Sequence, residues 1–561
     1  MRQVEDLLPR AIAALRGDDL EKAERLCRAM IAATDDNFGT HHVLGLVLAR
    51  QARFDEALTS YDAALALQPD NSLALVNRGN ALLAAGKPGK ALLSYDRALT
   101  AAPAYPDALT GRAAALQRLD RLDEALASSE AALSLQPQHR DALINRGKIL
   151  HDLRRFDEAL AAHDRALVEA PGDPQPRCNR GATLHALSRH EEALAEYAAV
   201  LVHRPGNPDA LANQGAAYRA LARFDEALAS YDAVLAIDPD RHEARFNRAL
   251  VHLQLGSFAT GWGDYEARRA GKAWQARQLA SPEWRGESLH GKRLLLYAEQ
   301  GLGDTIQFIR FAPAFAARGA EIIVEVQPQL DGLMGSLAGI PQIVLHGDPL
   351  PPADFHLPLM SAPFALRVEG RLPAATPYLA ADPGRTAAWA ARLPKAGLRV
   401  GIAWQGNPNV DIDRGRSIPL AAFAPLGLIP GVQLISLQKH AGSEQLRQLP
   451  PGMQVASLGE AFDAGPDAFL DSTAVMMNLD LIITSDSAIA HLAGALARPV
   501  WIVLAHVPDW RWLLDRPDSP WYPTARLFRQ PRPGDWVGVF EEIAAALATY
   551  AGETGCVSSA P

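Results

Sequence analysis

Residues 210–240 read ALANQGAAYRALARFDEALASYDAVLAIDPD, and this stretch is one copy of a pattern that fills the first half of the chain. The unit, close to ALxNRGxxLxxLxRFDEALxxYDxALxLxPD, recurs upstream in fixed phase. Prolines stand at Pro69, Pro103, Pro137, Pro171, Pro205 and Pro239, each 34 residues from the next. Alanine keeps the same phase at Ala23, Ala57, Ala91, Ala125, Ala159, Ala193 and Ala227. Glycine does so at Gly45, Gly79, Gly147, Gly181 and Gly215, with Ala113 standing in once. Each unit predicts two apolar-periodic helices joined by a short polar turn, the proline closing the second.

The small residues have a packing reason: glycine on the first helix and alanine on the second let the two backbones approach. One hairpin cannot offset roughly 1–2 kcal/mol of backbone entropy per ordered residue, so neighbours must stack into a continuous core. Residues 3–270 resemble the tetratricopeptide repeat (TPR) family, as seven repeats plus a closing helix pair. The first repeat carries Leu20 for the usual aromatic and lacks the proline, which suits a cap.

TPR stacks coil into a superhelix whose inner groove binds extended peptides. Asn77, Asn145, Asn179, Asn213 and Asn247 share one repeat position, with Gly111 as the gap. A side-chain amide offers donor and acceptor together, so a column of amides can grip a peptide backbone whatever its sequence. The column resembles the asparagine ladder of the eukaryotic protein O-GlcNAc transferase. The competing reading is that each asparagine satisfies local backbone groups. The neighbouring Arg78, Arg112, Arg146, Arg180 and Arg248 are expected to bond carbonyls or acids of the adjacent repeat.

After about residue 270 the period stops and short β-rich runs alternate with helical stretches. RLLLYAE (293–299), EIIVEV (321–326), LRVGIAW (398–404), VQLISL (432–437), LDLIIT (479–484) and PVWIVL (499–504) read as buried parallel strands of doubly wound α/β sheets. Proline- and glycine-rich sequence around 347–397 divides them into two Rossmann-like halves with a cleft between. The expected layout is a superhelix over 1–273, an N-terminal lobe over 274–390, and a C-terminal lobe over 391–561 ending in a helix and a short tail.

Two motifs leave strand ends for helices. In Glu299-Gln-Gly-Leu-Gly-Asp304-Thr-Ile-Gln307, Gly301 and Gly303 permit a sharp turn and close approach of a ligand. Asp304 is placed to act as a general base or, with Gln307, to form a capping box. In Thr484-Ser-Asp-Ser-Ala-Ile-Ala-His491, the residues Ser485, Asp486 and Ser487 are expected as caps beside N–H groups facing a bound anion. His491 lies four residues beyond Ser487, on the same helix face, directed to the cleft or satisfied in the core.

The strand–EQGLGD–helix start and the later SDSAIAHLAGAL stretch resemble bacterial heptosyltransferase-like enzymes of the GT-B glycosyltransferase fold, over residues 290–548. That family's second motif reads D-[ST]-G-x-x-H-[LF]-A; Asp486, Ser487 and His491 fall on it, with Ala488 replacing the glycine. The resemblance implies Asp304 as base and a basic residue before a hydrophobic-Pro segment as a phosphate contact. RGRSIPL offers Arg416, or else Arg414. Lys439, in SLQKH, is a second phosphate candidate. The last helix, VFEEIAAALATY (539–550), is expected to cross back to the first lobe as GT-B chains do. In VPDWRWLLDRPDSPWYP (507–523), Trp510, Trp512, Trp521 and Tyr522 are expected mainly to fix the loop and pack on the repeats, with Asp509 a candidate for donor hydroxyls.

Composition excludes several alternatives. The 561 residues are 48% hydrophobic and 21% charged, which is not the balance of a disordered chain. A net charge of −9 argues against a generic nucleic-acid binder. Cys27, Cys178 and Cys556 lie far apart, without a CxxC pair, so neither a disulfide scaffold nor a cysteine-built zinc site is expected. The N-terminus carries acids every few residues where a signal peptide needs an apolar core, and no uncharged run is long enough to span a bilayer. A cytoplasmic location is the expectation.

Together these readings predict a glycosyltransferase that takes a nucleotide-sugar donor and a protein acceptor held by the repeats. No cofactor is expected, and no DxD or HxxE-type cluster calls for a metal. Resemblance to bacterial TPR–GT-B fusions, which include flagellin glycosyltransferases, makes flagellin a candidate acceptor. Transfer to a lipopolysaccharide or surface glycan, and a scaffold that binds donor without turnover, are the alternatives.

Overall fold

The computed structural model describes residues 7–33, 37–271, 277–337, 339–340, 342–370, 376–408, 413, 415–466 and 468–553. It divides into two compact units, residues 1–218 and 219–561. Arg414 and Cys556 lie outside the described residues.

Helix hairpins run from Leu7–Arg16 with Leu20–Ala32 to His242–Gln254 with Phe258–Tyr265. Asn37, Asn71 and Asp173 start first helices by accepting from backbone N–H groups of the first turn. Between the two helices of each pair the chain passes through one left-handed residue, such as Ala52 at φ 58° and Gly86 at φ 71°. The Arg53 N–H then reaches back to the Leu48 carbonyl at 2.9 Å, closing the first helix.

The repeated glycine has a more specific reason than close backbones. Gly45, Gly79, Gly147 and Gly181 lie under the rings of Tyr61, Tyr95, His163 and Tyr197 from the following helix. A Cβ added at these glycines would stand 2.6, 2.6, 2.3 and 2.5 Å from a ring carbon. The exception supports the rule. Where Ala113 replaces the glycine, the ring position is Ser129, fully buried, with its hydroxyl donating to the Leu126 carbonyl at 2.8 Å. Glycine and ring are thus exchanged together for alanine and serine. Gly181→Ala is expected to cost about 1–3 kcal/mol by overpacking. A cycle with Tyr197→Ser should show a favourable coupling of at least about 1 kcal/mol in urea unfolding of the full chain. Additive losses would contradict this packing.

His163 occupies a tyrosine position with neither ring nitrogen hydrogen-bonded among the described residues. Burial, with nearby His151, Arg180 and Lys148, pushes its pKa down to about 4, so this imidazole is neutral and serves as packing. The thiols of Cys27 and Cys178 are likewise buried, which raises each to about 11.

The arginines beside the ladder position join the helix layers. Arg78 Nε donates to Asp62 at 2.7 Å, Arg112 Nε to Asp96 at 2.8 Å and Arg180 Nε to Asp164 at 2.7 Å, each acid lying 16 residues earlier. Arg146 reaches Glu130 at 3.5 Å, and Arg248 spans Asp232 at 2.6 Å and Asp264 at 2.7 Å.

The rest of the second unit is α/β. Strands β1 (Arg293–Tyr297), β2 (Glu321–Val326), β3 (Gln342–Leu345) and β4 (Phe355–Pro358) form a sheet in the order β3-β2-β1-β4. Strands β5 (Leu398–Ala403), β6 (Val432–Ser436), β7 (Val455–Ala456), β8 (Leu481–Ser485), β9 (Val500–Leu504) and β10 (Ala525–Arg529) form another, ordered β10-β9-β8-β5-β6-β7. Every pair is parallel. One apolar cluster extends from Ala249 and Trp262 of the last hairpin, through Phe308 and Phe315, to Ala493 and Trp521.

Two expectations need correction. The segment taken as a dividing loop contains β4, which pairs with β1. The C-terminal helix, Trp536–Glu553, does not bury its face on the first sheet. Its Val539, Phe540, Ile543 and Leu547 join Leu398, Val400 and Phe423 in the core of the second. Among the described residues no helix is long and apolar enough to cross a membrane.

Candidate functional site

In each sheet the chain leaves its central strand to one side and later returns on the other. The crevice at the carboxyl end of that reversal is where open α/β sheets bind ligands. In the second sheet the reversal lies between β5 and β8. The loop after β5 supplies Arg416 and the loop after β8 supplies Asp486. Arg416 Nη2 donates to the Asp486 carbonyl at 2.5 Å and stands 3.2 Å from its carboxylate. Burial raises the Asp486 carboxyl pKa despite Arg416 and the Trp512 indole beside it, with nearby Asp509 adding to the rise.

In the first sheet the reversal lies between β1 and β4. Glu299, just past β1, is buried and accepts from Arg268 Nη2 at 3.0 Å and from the Met360 N–H at 3.0 Å, beyond β4. Arg268 sits in the 3-10 turn that closes the last hairpin, and it also donates to Ser361 at 2.7 Å. Asp304 lies in the first turn of the following helix, Leu302–Phe308.

The two strand-end regions meet on Arg511. Its Nη2 donates to Asp304 Oδ1 at 2.5 Å, its Nε to Gln307 Oε1 at 2.7 Å and its Nη1 to Asp509 Oδ1 at 2.9 Å. Its guanidinium also stacks on the Trp510 ring at 4.4 Å. Burial works against the Arg511 charge, but Asp509 and Asp304 outweigh it and raise the pKa. Asp509 is half-buried, its side chain 27% exposed, and against the desolvation it suffers Arg511 still holds its carboxyl below the usual range. Asp304 Oδ2 accepts the Gly301 N–H at 3.0 Å. Two of its roughly four acceptor sites are therefore filled and two remain.

His491 is enclosed. Nδ1 meets the Tyr522 hydroxyl at 2.9 Å, and the ring stacks on Trp512 at 5.4 Å and 14°. Gly303 lies close to the ring, and a Cβ added there would stand 3.2 Å from the imidazole Cδ2. Burial, with Arg511 nearby, lowers the His491 pKa well below its ordinary value, so the ring is neutral. Its Nε2 makes no hydrogen bond among the described residues.

Gln307 Nε2, Arg416 Nε, Ser485 Oγ, Asp486 Oδ2 and Trp512 Nε1 are buried without a hydrogen-bond partner among the described residues. Buried polar groups are normally satisfied. Asp486 and the Trp512 indole lie close enough to influence each other, which leaves Arg416 Nε and Ser485 Oγ as the open hydrogen-bonding capacity beyond β5 and β8 for a polar ligand or water.

Some roles differ from the sequence expectation. Gly301 takes φ −69°, open to any residue, and Gly303 is small for His491 rather than for a ligand. Gln307 does not cap the helix; Asp304 itself reaches back to Gly301. Ser487 is the N-cap residue of helix Ala488–Ala495 but no side chain caps that helix. Ser485 and Asp486 are buried beneath it. Lys439, just past β6, donates its Nζ to the Phe462 carbonyl beyond β7, a contact between two loops. Trp510 packs edge-on against Trp262 at 5.4 Å, and Trp512, Trp521 and Tyr522 are fully buried.

The ladder residues are all partly buried. Asn77 pairs with His42 at 2.9 Å, Asn145 donates to the Thr110 carbonyl at 3.3 Å and Asn179 accepts from Gln175 at 3.1 Å. Asn213 and Asn247 make no side-chain hydrogen bond among the described residues.

Arg511 and Arg268 were not assigned from the sequence, and Glu299 and Gln307, though part of the first motif, were not expected as partners of arginines. Arg511 follows Asp509 by two residues just past β9, and a basic–acidic pair at a strand's carboxyl end was its only signal.

Comparison with known proteins places tetratricopeptide repeat matches at residues 42–106 and 110–174, and a TPR repeat match at 215–256. Protein FlbA of Caulobacter vibrioides is 28% identical over 330 residues, covering 52% of this chain and 52% of FlbA. The chain thus spans about half the length of that curated relative. A solved tetratricopeptide repeat protein from Parabacteroides merdae is 20% identical, with TM-score 0.40, over 45% of this chain and 99% of that one. A thermophilic TPR protein of Thermus thermophilus is 23% identical, with TM-score 0.31, over 32% of this chain and 99% of that one. The N-terminal region is therefore built of TPR repeats, a scaffold suited to protein partners, and parallel α/β sheets follow it.

Proposed function

We propose that this chain is a cytoplasmic GT-B glycosyltransferase that moves a sugar from a nucleotide-sugar donor to a Ser or Thr hydroxyl of a protein acceptor, flagellin being the candidate. The observation that carries the proposal is the meeting of charge at the two reversal points: Arg416 with Asp486 on one side, Asp304 on the other, and Arg511 between. Donor diphosphate gains negative charge as the glycosidic bond breaks. Arg416 and the first-turn N–H groups of helix Ala488–Ala495 supply positive potential there. Asp304 takes the proton from the acceptor hydroxyl, whose oxygen attacks the anomeric carbon as the nucleotide leaves, with inversion. The cationic side chains supply the charge stabilisation, so the proposal needs no cofactor or metal.

A second reading, donor binding without turnover, draws support from Asp304 itself, since Arg511 and Gly301 each hold one of its oxygens. Intact-mass analysis of a co-expressed flagellin separates these readings. Wild-type chain should add a fixed sugar mass and Asp304→Asn should add none. Unmodified flagellin, with mass appearing on lipopolysaccharide instead, would move the acceptor to glycan; no product on either would favour the scaffold.

A further inference from the structure

Asn77 and Asn145 hold one repeat position in helices Ser72–Ala84 and Arg140–Asp152, and Gly111 holds it in the helix between, Pro106–Arg118. At this gap a hollow of about 360 Å³ opens, with Asn77, Gly111 and Asn145 in its lining. The gap is enforced by packing. A Cβ at Gly111 would stand 2.4 Å from the Tyr95 ring, so the ladder's asparagine cannot be restored there.

The lining combines two chemistries. Leu73, Val76 and Tyr105 supply apolar surface, Leu73 remaining 50% exposed. Asp107 and Asp141 add carboxylates, and no lysine or arginine belongs to the lining. The two acid side chains are 61% and 67% exposed. Asp107 pairs with His139 at 2.9 Å. The nearest cation to Asp141, Arg140, is 4.0 Å away and donates instead to Asp173. Asn77 and Asn145 use their Nδ2 groups locally and keep their carbonyl oxygens available.

We propose that this hollow is a pocket for one arginine or lysine of an extended acceptor segment. The proposal rests on reading the repeats as an acceptor-binding groove. The methylene stem lies on Leu73, Val76 and the Tyr105 ring, as long cationic side chains do on apolar surface. The charged head meets Asp107 and Asp141, and the flanking peptide N–H groups donate to Asn77 and Asn145. Acceptor choice then depends on a basic residue near, but not at, the modified hydroxyl.

The test is fluorescence anisotropy on the full chain, without donor, at low ionic strength, where charge selectivity is least screened. The probes are fluorescein-labelled Ser/Ala peptides with a single central arginine, glutamine or glutamate. The arginine peptide should bind at least about tenfold more tightly than the glutamine peptide, with glutamate weakest. Asp107→Asn combined with Asp141→Asn should erase the preference without lowering the melting temperature by more than a few degrees. Ala114→Met, which fills the hollow from an accessible helix position, should weaken the arginine peptide by a similar factor. Equal binding of the three peptides, no binding at all, or a preference that survives the double substitution would overturn the pocket. Transfer to protein acceptors without charge preference would sink this inference and leave the transferase reading standing. Arginine-selective binding by a chain that never transfers would do the reverse.

Discussion

Asp304→Asn is expected to lower the rate of sugar transfer by about 10²–10⁴-fold, the usual contribution of a general base. Asparagine is nearly isosteric, and its carbonyl oxygen can still accept from either Arg511 or the Gly301 N–H. It cannot take a proton. Nucleotide affinity should therefore stay close to wild type, because the phosphate-facing candidates, Arg416 and the N–H groups after β8, belong to the other sheet. The expected signature is a fall in kcat with nucleotide Kd within about twofold, read from initial rates and calorimetry. Wild-type turnover in this variant would remove Asp304 from the chemistry. A parallel loss of binding would show that it is a structural ion-pair partner of Arg511 instead.

The largest stability effect is expected from Arg511→Met, at about 3–5 kcal/mol. Methionine can pack against Trp510 and Phe308 but leaves Asp509 and Gln307 without the guanidinium they share, and Asp304 with one hydrogen bond fewer. Removing one partner of a buried ionic cluster costs more than replacing the whole cluster, because the stranded charge stays desolvated. Part of the loss at Asp304 and Asp509 is recovered by water, since those side chains are 22% and 27% exposed, which places the effect toward the lower end of that range. The pH dependence follows from Asp509, whose folded pKa Arg511 depresses. A depressed carboxylate contributes stability that is present above its unfolded pKa, about 3.9, and is lost as pH falls through the lower folded value. Wild type and variant should thus differ most near neutral pH and converge in strong acid. Arg511→Lys should fall between them, keeping the charge but losing the fork that spans three partners. An Arg511→Met melting curve that matches wild type at neutral pH would mean the cluster is not a structural hub.

The repeats were legible because every unit restates the same physics at a fixed interval. Even so, sequence alone attributed the glycines to close backbones, where the structure gives them to rings, and only the joint exchange to Ala113 and Ser129 exposes the pairing. The inner strands β1, β2, β5, β6, β8 and β9 announced themselves as continuous apolar runs, as strands covered on both faces do. Strands β3, β4, β7 and β10 were missed because they are short or half-covered: QIVL and FHLP are four residues each, β7 is two, and ARLFR alternates at a sheet edge. At the site, Asp304, Arg416 and Asp486 could be named because each follows a recognisable strand. Arg511 could not. Its importance comes from contacts with Asp304 and Gln307, 207 and 204 residues away in sequence. His491 was legible as a special residue, but its neutral, stacked state depends on Trp512 and Tyr522, which its own motif does not contain.

The proposed function requires a nucleotide's phosphates to bind at the β5–β8 reversal point. It is tested most directly by titration calorimetry of uridine, cytidine and adenosine diphosphates into the wild-type chain and Arg416→Met at one fixed salt concentration. Saturable binding of at least one nucleotide is expected, weakened about 10–100-fold by the substitution, as when a charge-assisted contact worth roughly 1.5–3 kcal/mol is removed. Binding that Arg416→Met leaves unchanged, or no binding of any of the three, would contradict it.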